Sequence, residues 1–234
     1  MKVVVTDKAG KTTEKSTTIT TNMLEEGDYV NYVDGTGVTR TCVVLYGPEN
    51  ANYSSYGIQI ITMNSVENLR WGSATYNNAI STLNEKAEAY LNTTYASKAR
   101  SVGSIPNNPD YESGMYTRDD TWFAERNGQY KDEDENYVAD LTQMEALGIE
   151  IISNDSYWMA SRIVYTRTSD SEFGVRLVLS SYGLTYSRTI WVKSESTTYS
   201  ATPYFGLRPV FTLKSGIKVT GGSGTSSSPY TLGT

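Results

Sequence analysis

The sequence predicts an α+β domain with a strand-rich second half, on three observations. Ile80, Leu83, Ala87, Tyr90 and Leu91 recur at helical spacing and place one strong helix over about 75–92. A second, shorter helix is expected over about 138–147, stopped by Gly148 as a C-terminal cap. From about 157 onward the chain reads as strand and turn only.

The elements follow in order. Val3-Val4-Val5-Thr6-Asp7 reads as a strand, Lys8-Ala9-Gly10-Lys11 as a turn, and Thr12 to Thr21 as a second strand or a stiff linker. Two strands alone bury no core, so residues 1–21 are read either as a linker or a piece of another domain ahead of a main domain over 22–234, or as an N-terminal hairpin of that main domain. That domain opens with a strand at 27–33, followed by strands at 39–46 and 56–63. Ser73 is the expected N-cap of the first helix. Residues 100–136 read as loop, with Pro106, Pro109 and the acidic run Asp132-Glu133-Asp134-Glu135. Strands are then expected at 157–165, 173–180, 184–193, 205–213, 216–220 and 229–232, with Gly221-Gly222-Ser223-Gly224 as a hairpin turn. Phe173-Gly174-Val175-Arg176-Leu177-Val178 is echoed by Phe205-Gly206-Leu207-Arg208-Pro209-Val210. The echo predicts two neighbouring strands of one sheet, with Arg176 and Arg208 both buried beside carboxylates or backbone carbonyls.

Composition excludes several functions. The chain has 234 residues, 20 Lys and Arg against 26 Asp and Glu, and so a net charge of −6. A nucleic-acid binder carries a clustered basic face instead. Histidine is absent, which removes Ser-His-Asp and Cys-His nucleophile systems and every His-ligated metal site. The single cysteine, Cys42, lies in the apolar run Thr41-Cys42-Val43-Val44-Leu45 and is read as a small buried hydrophobe. The alternating Asp132, Asp134 and Asn136 begin like a calcium loop, but Tyr137 stands where glycine is needed and Gln143 where glutamate closes the site. No cofactor, no metal and no catalytic activity are expected. No run approaches the ~18 apolar residues of a membrane span, and Met1 to Asp7 do not form a signal peptide. The chain is either intracellular or a piece of a longer exported protein.

Several stretches together resemble a known family. They are Gly27-Asp28-Tyr29-Val30, Thr75-Tyr76-Asn77-Asn78-Ala79-Ile80, Tyr95-Ala96-Ser97-Lys98-Ala99-Arg100-Ser101, Ser156-Tyr157-Trp158-Met159-Ala160-Ser161-Arg162, Phe173-Gly174-Val175-Arg176, Gly206-Leu207-Arg208-Pro209-Val210-Phe211-Thr212-Leu213, Lys218-Val219-Thr220-Gly221-Gly222-Ser223-Gly224-Thr225 and the closing Pro229-Tyr230-Thr231-Leu232. Over about residues 24–232 the combination resembles a domain family found at the C-terminus of surface-exposed and prophage-borne proteins of Gram-positive bacteria. The layout is also similar to the C-type-lectin-like fold shared with formylglycine-generating-enzyme-like domains and with the ligand-binding proteins diversified by retroelements. The resemblance implies an α+β, C-type-lectin-like domain with two helices, a small irregular antiparallel sheet and long loops forming a binding face. Residues 1–21 resemble the last hairpin of a bacterial immunoglobulin-like domain. The calcium motifs of sugar-binding lectins are absent, and so is the cysteine pair of the formylglycine-generating enzymes.

The candidate site is the run 180–204, in which 15 of 25 residues are Tyr, Ser or Thr. Antibody paratopes use the same chemistry: Tyr offers large contact area with few torsions to freeze, and hydroxyls adapt their hydrogen bonds. Tyr182, Tyr186, Arg188, Trp191, Lys193, Tyr199 and Tyr204 are the candidate ligand-binding residues by resemblance to the diversified proteins. The implied role is recognition of a protein or glycan on another surface by a domain displayed outside the cell or on a virion, as an adhesin or a phage component. The alternatives are a structural stalk or cap domain, a degenerate formylglycine-generating-like enzyme, and an ordinary β-meander with Tyr on its wet face.

Overall fold

The computed structural model describes residues 2–6, 8, 10, 12–16, 24–50, 57–70, 78–105, 108–112, 116–118, 140–152, 154–166, 170–180, 184–194, 198–199 and 204–234. Two strands, β1 (Lys2–Thr6) and β2 (Thr12–Ser16), pair antiparallel as a sheet of their own. Then come β3 (Tyr29–Val33), β4 (Thr39–Tyr46), β5 (Gln59–Thr62), β6 (Glu67–Leu69) and helix α1 (Ala79–Glu88). They are followed by β7 (Ala96–Ser101), β8 (Ser104–Ile105), β9 (Asn108–Glu112), β10 (Tyr116–Arg118) and helix α2 (Leu141–Leu147). The remainder is strand: β11 (Tyr157–Thr166), β12 (Asp170–Leu179), β13 (Leu184–Ser194), β14 (Thr198–Tyr199), β15 (Phe205–Leu207), β16 (Pro209–Leu213), β17 (Lys218–Gly221) and β18 (Tyr230–Gly233).

The α+β expectation is corrected. The protein is mostly β, with eighteen strands and two helices among the described residues, arranged in two mixed seven-stranded sheets instead of one small antiparallel sheet. The first sheet runs β14-β13-β12-β11-β15-β6, with β10 beside β11; the second runs β17-β18-β3-β4-β5-β16-β7. Both contain parallel pairs, β10 and β15 with β11, and β18 with β3. The C-type-lectin-like layout is overturned with it. Much of the error lies in the stretch 100–136 read as loop, where the end of β7 and all of β8 to β10 form. β7 carries Lys98, Arg100 and Ser101, and Arg100 is buried at 3% exposure. Its polar letters hide a half-buried edge strand: Ser97 and Lys98 stay exposed, while Arg100 is bound by Asp140 and Gln59, partners far along the chain.

Three apolar clusters hold the layers together. β4 shows why: Val43 and Leu45 go to one cluster and Cys42 and Val44 to another, so the strand is buried on both faces. The first cluster lies where the sheets meet, joining Val43, Leu45, Ile61 and Val210 of the second sheet to Tyr157, Met159 and Val178 of the first, with Leu141 and Met144 of α2 packed in. The second gathers the other face of the second sheet around Tyr32, stacked on Phe211 at 4.4 Å between ring centres. The third seats Ala79, Ile80 and Leu83 of α1 on Trp158, Ala160, Val175, Leu177 and Leu207. The periodicity read for the first helix therefore marks its buried face, although the helix ends at Glu88 and Tyr90 and Leu91 lie in the turn beyond. The expected cap Ser73 and the acidic run 132–135 lie outside the described residues. α2 ends at Gly148, whose φ of 66° is the left-handed cap expected there.

The two arginine strands are not neighbours. β11 stands between β12 and β15, and the expected strand 205–213 is two strands in two sheets, β15 and β16, broken at Arg208. The burial expectation holds, at 3% for Arg176 and 0% for Arg208. Arg208 donates from Nε to the Thr62 carbonyl and from Nη1 to the Ile149 carbonyl, both at 3.0 Å, and lies 4.6 Å from the centre of the Tyr157 ring. Its own carbonyl accepts from Val102 N–H, whose carbonyl in turn accepts from Ala160 N–H. The sheets approach so closely here that a Cβ on Gly103 would sit 2.8 Å from Ala160 N, and one on Gly206 would sit 1.7 Å from Ser65 Oγ.

Removing this guanidinium orphans two buried carbonyls and leaves a cavity. Arg208→Ala is expected to lower stability by roughly 3–5 kcal/mol in urea unfolding. Arg208→Lys is expected to recover only part, since an ammonium cannot reproduce the planar fork. Wild-type stability in the alanine variant would refute the junction.

Candidate functional site

Among the candidate contact residues, Tyr204 is the one whose side chain is described. It is 64% exposed, the most open large apolar side chain among the described residues. It stands immediately before β15, where Phe205 pairs with Leu69 and Gly206 with Asn68 of the edge strand β6. Continuing that antiparallel register sets Tyr204 opposite Arg70. The Arg70 guanidinium carbon lies 5.8 Å from the Tyr204 ring centre, within the range of a cation–π contact. The base of this pair is anchored: Phe205 meets Trp158 edge to face at 5.0 Å, and the Trp158 indole N–H donates to the Leu69 carbonyl at 3.0 Å. Arg70 was missed by the sequence reading, because nothing local marks it; its role appears only once β6 pairs with β15.

Tyr186, Arg188, Trp191 and Lys193 lie on β13 and Tyr199 on β14; their side chains are outside the described residues, and Tyr182 is outside them altogether. The backbone register is informative. Tyr186 pairs with Leu177, Arg188 with Val175, Trp191 with Phe173 and Lys193 with Ser171, and a shift between Phe173 and Gly174 leaves Ile190 as the extra residue of a bulge. Without that bulge, positions 186 and 188 would be out of phase with 191 and 193. With it, all four oppose the odd-numbered positions of β12. Tyr199 pairs with Val192 on the outermost strand.

Buried charge elsewhere is committed to structure. Arg100 makes a two-pronged contact to Asp140, 2.6 Å from Nη1 to Oδ2 and 2.8 Å from Nη2 to Oδ1, and also donates to Gln59 Oε1. Asp140 accepts further bonds from Gly103 N–H and Tyr46 O–H, which hold it at φ 79° ahead of α2. In the β3–β4 turn, Asp34 accepts from the backbone and hydroxyl of Thr36, from Val38 N–H and from Arg40 Nε. Among the described residues no three or more His, Cys, Asp or Glu side chains are grouped to hold a metal ion, and no helix is long and apolar enough to cross a membrane. Cys42 is fully buried, as its sequence context predicts, and that burial pushes its thiol far above the ordinary range.

No family model, curated protein or solved structure matches the chain.

Two outcomes follow from these groups. Burial pushes the Asp34 carboxyl up, but the hydrogen bonds from Thr36, Arg40 and Val38 outweigh it and hold the carboxyl below its ordinary value. Its contribution is therefore present above the unfolded-state value near 4 and is lost as pH falls through the lower folded-state value. Asp34→Asn is expected to be less stable at pH 7 and to show a flatter acid limb in unfolding curves between about pH 5 and 2; parallel curves would refute this. For Cys42, a thiol reagent at pH 8 is expected to react with the native protein only at the rate of unfolding, and burst labelling would contradict its burial.

Proposed function

We propose that this chain is a recognition module without catalysis of its own, binding a partner protein or glycan through a face centred on Tyr204. The observation that carries the reading is that aromatic ring, exposed to 64% yet built on a braced base of Phe205 and Trp158. A large apolar ring left open on a stable frame suits a contact residue, since aromatics supply a large share of interface energy. The Tyr, Ser and Thr content of 180–204 supports the same reading. So does the backbone continuity of the sheet, since Tyr204 immediately precedes β15, two strands from the β12 that carries β13. The resemblance to surface-exposed and prophage-borne proteins supports display outside the cell or on a virion.

The test is a panel of immobilised glycans and cell-surface proteins, screened with the whole chain and with Tyr204→Ala. At least one ligand is expected to bind the wild type and to lose about 1–3 kcal/mol with the variant, while the melting temperature stays within a degree or two. Binding unaffected by Tyr204→Ala, Tyr186→Ala, Trp191→Ala and Tyr199→Ala alike would refute the reading.

A further inference from the structure

We infer that the Tyr204–Arg70 pair is a subsite for an acidic pyranose, a sugar ring bearing one carboxylate, such as a uronic or sialic acid residue. The inference rests on the recognition reading above and narrows it to a ligand class.

Four observations point to this chemistry. First, Arg70 is exposed and, among the described residues, makes no ion pair or hydrogen bond; its recorded partner is the Tyr204 ring. An arginine in this state presents its planar fork to a carboxylate, which it can bind through two parallel N–H bonds. Second, the backbone brings the two groups together: Arg70 and Tyr204 flank two strands paired in register, and the Leu69 carbonyl beside Arg70 is tied to the Trp158 indole. Third, Tyr204 offers a flat apolar face ending in a hydroxyl, which matches the alternation of a C–H face and hydroxyls around a pyranose ring.

The fourth observation sets aside the rival ligands. β6 is a three-residue edge strand, too short to template an added peptide strand, so recognition here is by side chains. A phosphate polymer needs a stripe of cations, whereas this protein carries a net charge of −6 and, among the described residues, one arginine at this point. One cation beside one ring fits one carboxylate beside one ring.

The experiment titrates the whole chain with a panel of uronic- and sialic-acid oligosaccharides by calorimetry and NMR, each beside its methyl ester, which keeps the shape and removes the charge. A peptide rich in glutamate is the third arm. At least one acid is expected to bind, at least tenfold more tightly than its ester. Arg70→Gln should remove that preference and leave the ester's affinity unchanged, and Arg70→Lys should restore only part of it. Tyr204→Ala should weaken acid and ester alike, about fivefold or more. Equal melting temperatures of the variants establish that they fold. Binding of acid and ester with equal affinity, dependent on Tyr204 and indifferent to Arg70, would overturn the carboxylate inference and leave the recognition module standing. Preference for the glutamate peptide would also overturn the sugar assignment alone. No binding by any arm, together with no Tyr204-dependent ligand in the wider panel, would overturn both.

Discussion

Arg208 carries a positive charge into a place that excludes water. The cost of that burial explains much of how this molecule is put together. Its charge is spread over the Thr62 carbonyl at the end of β5, the Ile149 carbonyl just after α2, and the face of Tyr157 at the start of β11. Each belongs to a different part of the chain: the second sheet, the helix that closes the interface, and the first sheet. If any one withdrew, a charged group would be left partly unsolvated. Tyr157 is bound in turn, with its hydroxyl donating to the Glu150 carbonyl at 2.5 Å; burial, partly offset by the neighbouring Arg208, pushes that hydroxyl's pKa up to about 12. The phenol therefore stays neutral and presents an intact ring to the guanidinium.

The strand break at Arg208 follows from the same constraint. Pro209 cannot donate a backbone hydrogen bond, which suits the point where the ladder of one sheet ends and that of the other begins. β15 then finishes the first sheet, while β16 enters the second between β5 and β7. The buried pair Arg100–Asp140 serves the neighbouring seam, tying β7 to the start of α2. Two arginines thus do at the sheet interface what apolar side chains alone would do less specifically. They require particular carbonyls and a particular carboxylate, so alternative sheet packings leave charge stranded.

What could be read from the sequence was set by range. Patterns whose cause is local came through: the buried stripe of Ile80, Leu83 and Ala87, the cap at Gly148 and the apolar run around Cys42; the turn expected at Gly221 to Gly224 falls a few residues later, at Thr225 to Ser228. Features whose cause lies far along the chain did not. Arg100 looks like a surface residue until Asp140 and Gln59 arrive to bind it. The repeated Phe-Gly-x-Arg pattern looked like adjacency, yet the two arginines stand differently, Arg176 inside β12 and Arg208 between β15 and β16. Gly206 is needed where Ser65 closes on the backbone, and Arg208 leaves its sheet altogether. The candidate site divides the same way. Tyr204 was named by resemblance to the diversified proteins, but its partner Arg70 lies 134 positions earlier and is brought to it only by the pairing of β6 with β15.

The proposed subsite and the structural junction are two ends of one short segment. From Tyr204 to Arg208 exposure falls from 64% to 0%, and between them Phe205 is braced on Trp158 and Gly206 is locked against Ser65. A contact residue placed at the open end of such a segment is held by backbone ladders and buried charge, independently of any ligand. That arrangement favours recognition by a preformed surface, because the ordering cost has been met in folding instead of at the moment of binding. It also lets the face vary at low cost to the fold. Exposed side chains at position 204 or 70 touch little of the core, whereas the residues that fix their separation are buried and interlocked.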